Sequence, residues 1–270
     1  MGTLLSVAIV AGAHMSAEEL QGALQAEVTR HPQDPTALHN LAKAYQTAGR
    51  WDEALVAFDD AIAQGADRDE CDAGRGQVLL TAGFPRVARR TFDAVVARRP
   101  DAYGVMVDRA HAWMAVGEPE KAAEDYGRAL PGLARLTPEN VLAHRDAWLA
   151  AHKPAEALHA LDQGMSRLGP VASLQLAAID LESDRQQWAG ALERLDQLLR
   201  QAPKSEAWIV RRGELLERLG RADDARLEFE KARTLIAARP PGRRNQALND
   251  LDERIHSHLN IHTTQHKGER

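Results

Sequence analysis

One cysteine, Cys71, is all the thiol chemistry the chain possesses, so no intrachain disulfide and no cysteine-based zinc site can be assembled from it. Positive charge is also short. Asp and Glu outnumber Lys and Arg 39 to 34, a net charge of −5, whereas binding a nucleic-acid backbone needs clustered positive surface to release counterions. The basic cluster Arg86, Arg89, Arg90, Arg98 and Arg99 therefore reads as a solvated helix face. No stretch alternates as a strand does, which leaves helices, and no apolar run is long enough to span a membrane. Nucleophile elbow, Walker loop, dinucleotide glycine fingerprint and HExxH motif are all missing. The carboxylates are dispersed: neighbours such as Glu124 and Asp125, or Asp223 and Asp224, diverge around a helix instead of converging on a substrate. These absences argue against an enzyme and against a resident cofactor.

What recurs is a pair of small residues five positions apart: Gly49 and Ala54, Gly83 and Ala88, Gly117 and Ala122, Gly220 and Ala225. A fixed period of this kind marks stacked repeats. In the first clear copy, apolar or small residues stand at Leu38, Leu41, Ala42 and Tyr45, then at Trp51, Ala54, Leu55, Phe58 and Ala61. Both runs have helical spacing and they meet at a glycine, so the unit is a helix, a tight turn and a second helix. Ala42 and Ala54 let the two helices approach, and Tyr45 and Phe58 fill the space beside them. The second copy carries Gly76, Leu79, Gly83, Ala88, Phe92 and Pro100 at these places; the third carries Met106, Ala110, Trp113, Gly117, Ala122, Tyr126 and Ala129; the sixth carries Ile209, Gly213, Leu216, Gly220, Ala225, Phe229 and Ala232.

This pattern resembles the tetratricopeptide repeat family over most of the chain. The resemblance implies an all-α fold, a right-handed α-solenoid of about six helix-turn-helix repeats over 35–239, with capping helices at both ends. Copies four and five depart from the pattern: an extra residue separates Ala122 from Ala157, Arg145 stands where a small residue is expected, His152 and Gln186 replace the turn glycine, and Leu161 and Leu195 replace the aromatic. They are where a bend or a docked partner is expected. A terminal repeat needs its open apolar face covered. Ser16 and Glu19 form a capping-box pattern that opens an N-terminal helix over 16–33, and a C-terminal capping helix is expected over 243–260, with Leu248, Leu251, Ile255 and Leu259 on one face and 261–270 as a flexible tail.

Residues 1–15 carry no charged side chain. Leu4 to Val10 suit the apolar core of a secretory signal and Ala11-Gly12-Ala13 suits its cleavage site, although no Lys or Arg precedes them. A degenerate first helix, a truncated leader and an expression remnant fit the same residues. The signal reading favours a bacterial periplasmic or secreted protein over a cytoplasmic one.

The family resemblance implies a concave groove lined by the first helices, which takes an extended peptide or a helix of a protein partner. By phase, the groove residues are His39, Asn40, Lys43, Gln77, Val107, His111, Met114, Asp146, Leu149, Asp180, Arg211 and Glu214, with Gln46, Ala73, Leu142, Leu176 and Glu217 beside them. One subgroup of the family clamps a terminal carboxylate with Lys, Asn and Arg. Here the matching places hold His39, Lys43, Gln77, Gly104 and Asp108, so that clamp is absent. The expected function is a non-catalytic interaction scaffold, an envelope assembly or maturation factor in one version. An accessory subunit of an enzyme or polysaccharide-export complex is the alternative, and metal binding by the histidines at 256, 258, 262 and 266 is another. Oligomeric state is open.

Overall fold

The computed structural model describes residues 16–240, 242 and 245–268, with side chains to Asn260, and every regular element in them is helical. The expected leader within residues 1–15 lies outside the described residues. Two compact units divide the chain between Arg135 and Leu136.

The first unit holds α1 (Ala17–Arg30), α2 (Pro35–Thr47), α3 (Trp51–Ala63), α4 (Arg68–Thr81), α5 (Pro85–Arg98), α6 (Tyr103–Ala115) and α7 (Pro119–Ala129), then a 3-10 turn, Leu130–Gly132. Helices α2 and α3, α4 and α5, and α6 and α7 pack as pairs, and α1 covers α2. The second unit holds α8 (Pro138–Ala150), α9 (Pro154–Leu168), α10 (Ala172–Asp184), α11 (Trp188–Gln201), α12 (Glu206–Arg218), α13 (Ala222–Ala237) and α14 (Gln246–Gly268). Its pairs are α8 with α9, α10 with α11 and α12 with α13, and α14 closes the stack on α13 and α12. This is an α-solenoid of helix pairs in each unit. Helix α14 starts three residues later than expected and stays helical from 261 to 268, where a tail was expected.

Several helices start where the sequence supplies a cap. Ser16 and Glu19 make the reciprocal capping box, and Asp34 and Asp67 each accept two backbone N–H groups of the following turn. Four further helices open on proline, at Pro85, Pro119, Pro138 and Pro154, where a missing N–H costs nothing. Each turn inside a pair ends its first helix the same way. Gly49 N–H reaches Gln46 O and Arg50 N–H reaches Tyr45 O, with Gly49 left-handed at φ 73°. His152 and Gln186 keep the same bonds and the same backbone, both at φ 58°. A Cβ is strained there, by about 1–2 kcal/mol, part of which glycine would return as unfolded-chain entropy. His152→Gly and Gln186→Gly are therefore each expected to stabilise the protein by about 0.5–1 kcal/mol, read as a raised urea midpoint.

Small residues and aromatics complement each other across the pairs. A Cβ added to Gly76 would lie 2.3 Å from the Phe92 ring, and one added to Gly213 would lie 2.7 Å from that of Phe229. Both rings are fully buried. Copy five reverses the volumes, with Ile179 in the small place and Leu195 in the aromatic place, both without exposed surface. Copy four is filled differently. Arg145 is half-buried and pairs with Asp146, while the neighbouring His144 is buried and accepts from Trp148 Nε1 at 2.9 Å.

A second device repeats with the fold. Arg109 on α6 holds Asp125 of α7 through Nε and Nη2 at 2.7 and 2.6 Å and reaches Asp93 of α5 at 3.1 Å. Arg212 on α12 likewise reaches Asp196 of α11 at 2.7 Å and Glu228 of α13 at 3.0 Å. Each arginine thus ties its own pair to the pair before it, through carboxylates 16 residues on either side. Arg75 has the preceding member only, Asp59 at 3.1 Å.

Candidate partner-binding faces

In the first unit the polar side chains of the first helices are joined to one another. Gln46 Nε2 donates to Gln77 Oε1 at 3.2 Å, and Gln77 Nε2 donates to Asp108 Oδ2 at 2.7 Å, each step 31 residues long. The ladder crosses α2, α4 and α6. Burial pushes the Asp108 carboxyl above its ordinary range, opposed by the Gln77 hydrogen bond and the nearby His111. Gln77 is therefore present as expected, but both ends of its amide are engaged. His39 presents its ring edge to Phe58 at 5.6 Å between centroids, and His111 does the same to Tyr126 at 5.7 Å. Lys43 is exposed, Asn40 and Met114 are half-buried, and Val107 is buried, so Val107 offers a partner almost nothing.

The second unit has a cleft of about 1000 Å³ lined from α10, α11, α12 and α14. Four of the expected groove side chains meet in it: Leu176, Arg211, Glu214 and Glu217. Several of its charged side chains are paired. Arg211 pairs with the exposed Asp180, and Arg254 with Glu214. His258 Nδ1 lies 2.9 Å from Glu217, with its ring stacked on Phe229 at 4.7 Å and an interplanar angle of 11°. Trp188 and Trp208, both half-buried, supply the apolar wall, with Arg218 over the Trp188 ring at 5.6 Å. Asp146 and Leu149 on α8 are exposed and half-buried and do not line this cleft.

Comparison with known sequences bears on this geometry directly: the tetratricopeptide repeat profile matches residues 13–69, 74–140 and 176–242. The chain belongs to the tetratricopeptide repeat family. The profile passes over 141–175, which includes most of α8 and all of α9, the pair with Arg145 and His152 in the unusual places. Solved structures show the same fold. The C-terminal part of a repeat-containing protein from Cytophaga hutchinsonii is 13% identical with a TM-score of 0.64, over 87% of this chain and 94% of that one. A tetratricopeptide repeat protein from Parabacteroides merdae is 16% identical with a TM-score of 0.51, over 88% and 92%. A structure of Naa15/Naa10 bound to HypK-THB is 16% identical with a TM-score of 0.53, over 88% of this chain and 36% of that chain. Among curated proteins none matches.

Tetratricopeptide repeats are protein interaction modules, and the chain is a scaffold of that kind. Sequence phase located Arg211 and Glu214 in the cleft but missed Trp188, Trp208, Arg254 and His258. Trp188 is legible only as helix bulk, and Arg254 and His258 lie on the cap, where the repeat pattern stops. The cap is thus part of the cleft's lining as well as a cover for the core. Its other histidines divide: His256 is exposed, and the side chains of His262 and His266 lie outside the described residues. Among the described residues no three His, Cys, Asp or Glu converge as a metal site, and no helix is long and apolar enough to cross a membrane.

One pairing has the composition of an activated nucleophile. His39 Nδ1 lies 3.4 Å from the Cys71 sulfur. Burial pushes the thiol up to about 11, aided by Asp67, Asp72 and Glu70, and burial lowers the His39 pKa. The pair is thus a neutral imidazole beside an un-ionised thiol, a packing contact. The un-ionised thiol therefore favours the folded state below about 9, and that contribution is lost as pH rises toward about 11.

Proposed function

We propose that this tetratricopeptide repeat protein recognises a peptide or helix of a partner protein in the cleft between α10, α11, α12 and α14. The observation that carries the reading is the cleft itself: about 1000 Å³, with Trp188, Trp208 and Leu176 forming apolar walls beside Arg211, Glu214 and Arg254. A cleft of this chemistry takes apolar anchors on the tryptophans, while the charged residues, most of them paired, fix orientation through what they repel and what they exchange.

The test is affinity capture from the native host with wild-type protein, Trp208→Ala and Arg211→Glu, each checked for unchanged helicity. Loss of a half-buried aromatic anchor is expected to weaken capture of one partner by roughly 30-fold, equivalent to about 2 kcal/mol. A partner retained equally by both variants would sink the assignment to this cleft.

A further inference from the structure

The second helices of the first two repeats carry matching surfaces of opposite charge. On the outer face of α3, Asp52, Val56 and Asp60 are exposed, and neither aspartate has an ion-pair partner among the described residues. They stand at the mouth of an apolar cleft of about 350 Å³ that reaches Val28, Leu38 and Tyr45. Helix α5 is the repeat equivalent of α3, and its outer face is basic. Arg86 falls in the place of Asp52 and Arg90 in that of Val56; both are exposed, and neither has an ion-pair partner among the described residues. Phe84 and Val87 beside them are 57% and 48% exposed, two of the few large apolar side chains left in water.

We infer that these faces bind a second copy of this chain as a two-fold dimer. Helices α3 and α5 both pack on α4, so they are neighbours in one unit. A two-fold axis between them sets α3 of one copy against α5 of the other, and the same contact forms again on the far side of the axis. Phe84 and Val87 enter the apolar cleft of the partner copy, which is open between α1 and α3. Arg86 and Arg90 meet Asp52 and Asp60 at its mouth. Two unpaired guanidiniums and two unpaired carboxylates per copy are thereby matched without residue, and the apolar side chains leave water together. Because the four charges are solvated in the free chain, the association is favoured by low salt.

Sedimentation equilibrium of the full chain decides this. The wild type is expected to be a dimer that dissociates as salt is raised. Asp52→Arg with Asp60→Arg places like charges across both contacts, as does Arg86→Glu with Arg90→Glu. Either pair is expected to weaken self-association by roughly 100-fold or more. Mixing the two doubly substituted chains restores opposite charges at both contacts, so the mixture is expected to sediment as a 1:1 heterodimer, which also shows that both variants are folded. A monomeric wild type, dimers that survive either reversal, growth into open chains, or a mixture that stays monomeric would each overturn the inference.

Discussion

Replacing Arg109 by alanine is expected to cost about 3–5 kcal/mol, the typical effect of removing one partner from a buried pair. Asp125 is only 4% exposed, and both its carboxylate oxygens are held by Arg109. Without the guanidinium the carboxylate is left charged among apolar side chains, and α6 loses its polar tie to both α5 and α7. The double substitution Arg109→Leu with Asp125→Leu removes the unpaired charge and is expected to regain most of the loss. Urea unfolding followed by circular dichroism measures both. If Arg109→Ala shifts stability by less than about 1 kcal/mol, the clamp is no more than a surface pair.

Phe229→Ala is expected to have an effect of the same size, about 3–5 kcal/mol, for a different reason. The ring is fully buried, lies close to Gly213, and carries the stacked imidazole of His258 on one face. Deleting it leaves a cavity that Gly213 has no side chain to fill, and it removes the surface on which α14 is seated. The signature that separates this from ordinary core loss is local. Amide exchange in α14 is expected to rise to that of a detached helix, while α8 and α9 keep their protection. Uniform acceleration throughout the second unit would show that His258 contributes nothing specific to the seating of the cap.

Much of this fold can be read from the chain because its repeats are defined by volume and by the handedness of a turn. Gly76 and Gly213 announce where an aromatic must fit, and Gly49 or Gly83 where the backbone must turn left-handed. The reading survives even where the residue types change. His152 and Gln186 adopt the glycine backbone, and Ile179 with Leu195 exchanges the volumes of the usual small residue and aromatic. What stays hidden is whatever depends on side chains reaching across repeats. The ladder through Gln46, Gln77 and Asp108 joins residues 31 apart, and the arginine clamps join residues 16 apart. Neither distance belongs to helix periodicity, so neither signals itself as an apolar stripe does. The recurrence of an arginine with a carboxylate 16 places before and after it is the signal that could have exposed the clamps. For the cleft, phase puts Arg211, Glu214 and Glu217 of α12 on the face that lines it, but only the packing of α14 shows that Arg254 and His258 complete the lining.

The clamps have a bearing on how the chain comes apart. In stacked repeats, cooperativity depends on the strength of nearest-neighbour coupling relative to the stability of each repeat alone. At Arg109 and Arg212 that coupling is ionic and partly shielded from solvent, so salt weakens it little. Repeats two and three should therefore melt as one block, as should five and six. Repeat four has His144 in the place of the arginine, and its neighbour Arg145 spends its charge on the adjacent Asp146. Its tie comes instead from Arg194 of α11, which reaches Asp162 of α9 at 2.8 Å and Glu182 of α10 at 2.9 Å, so repeat four is expected to unfold with the block of five and six.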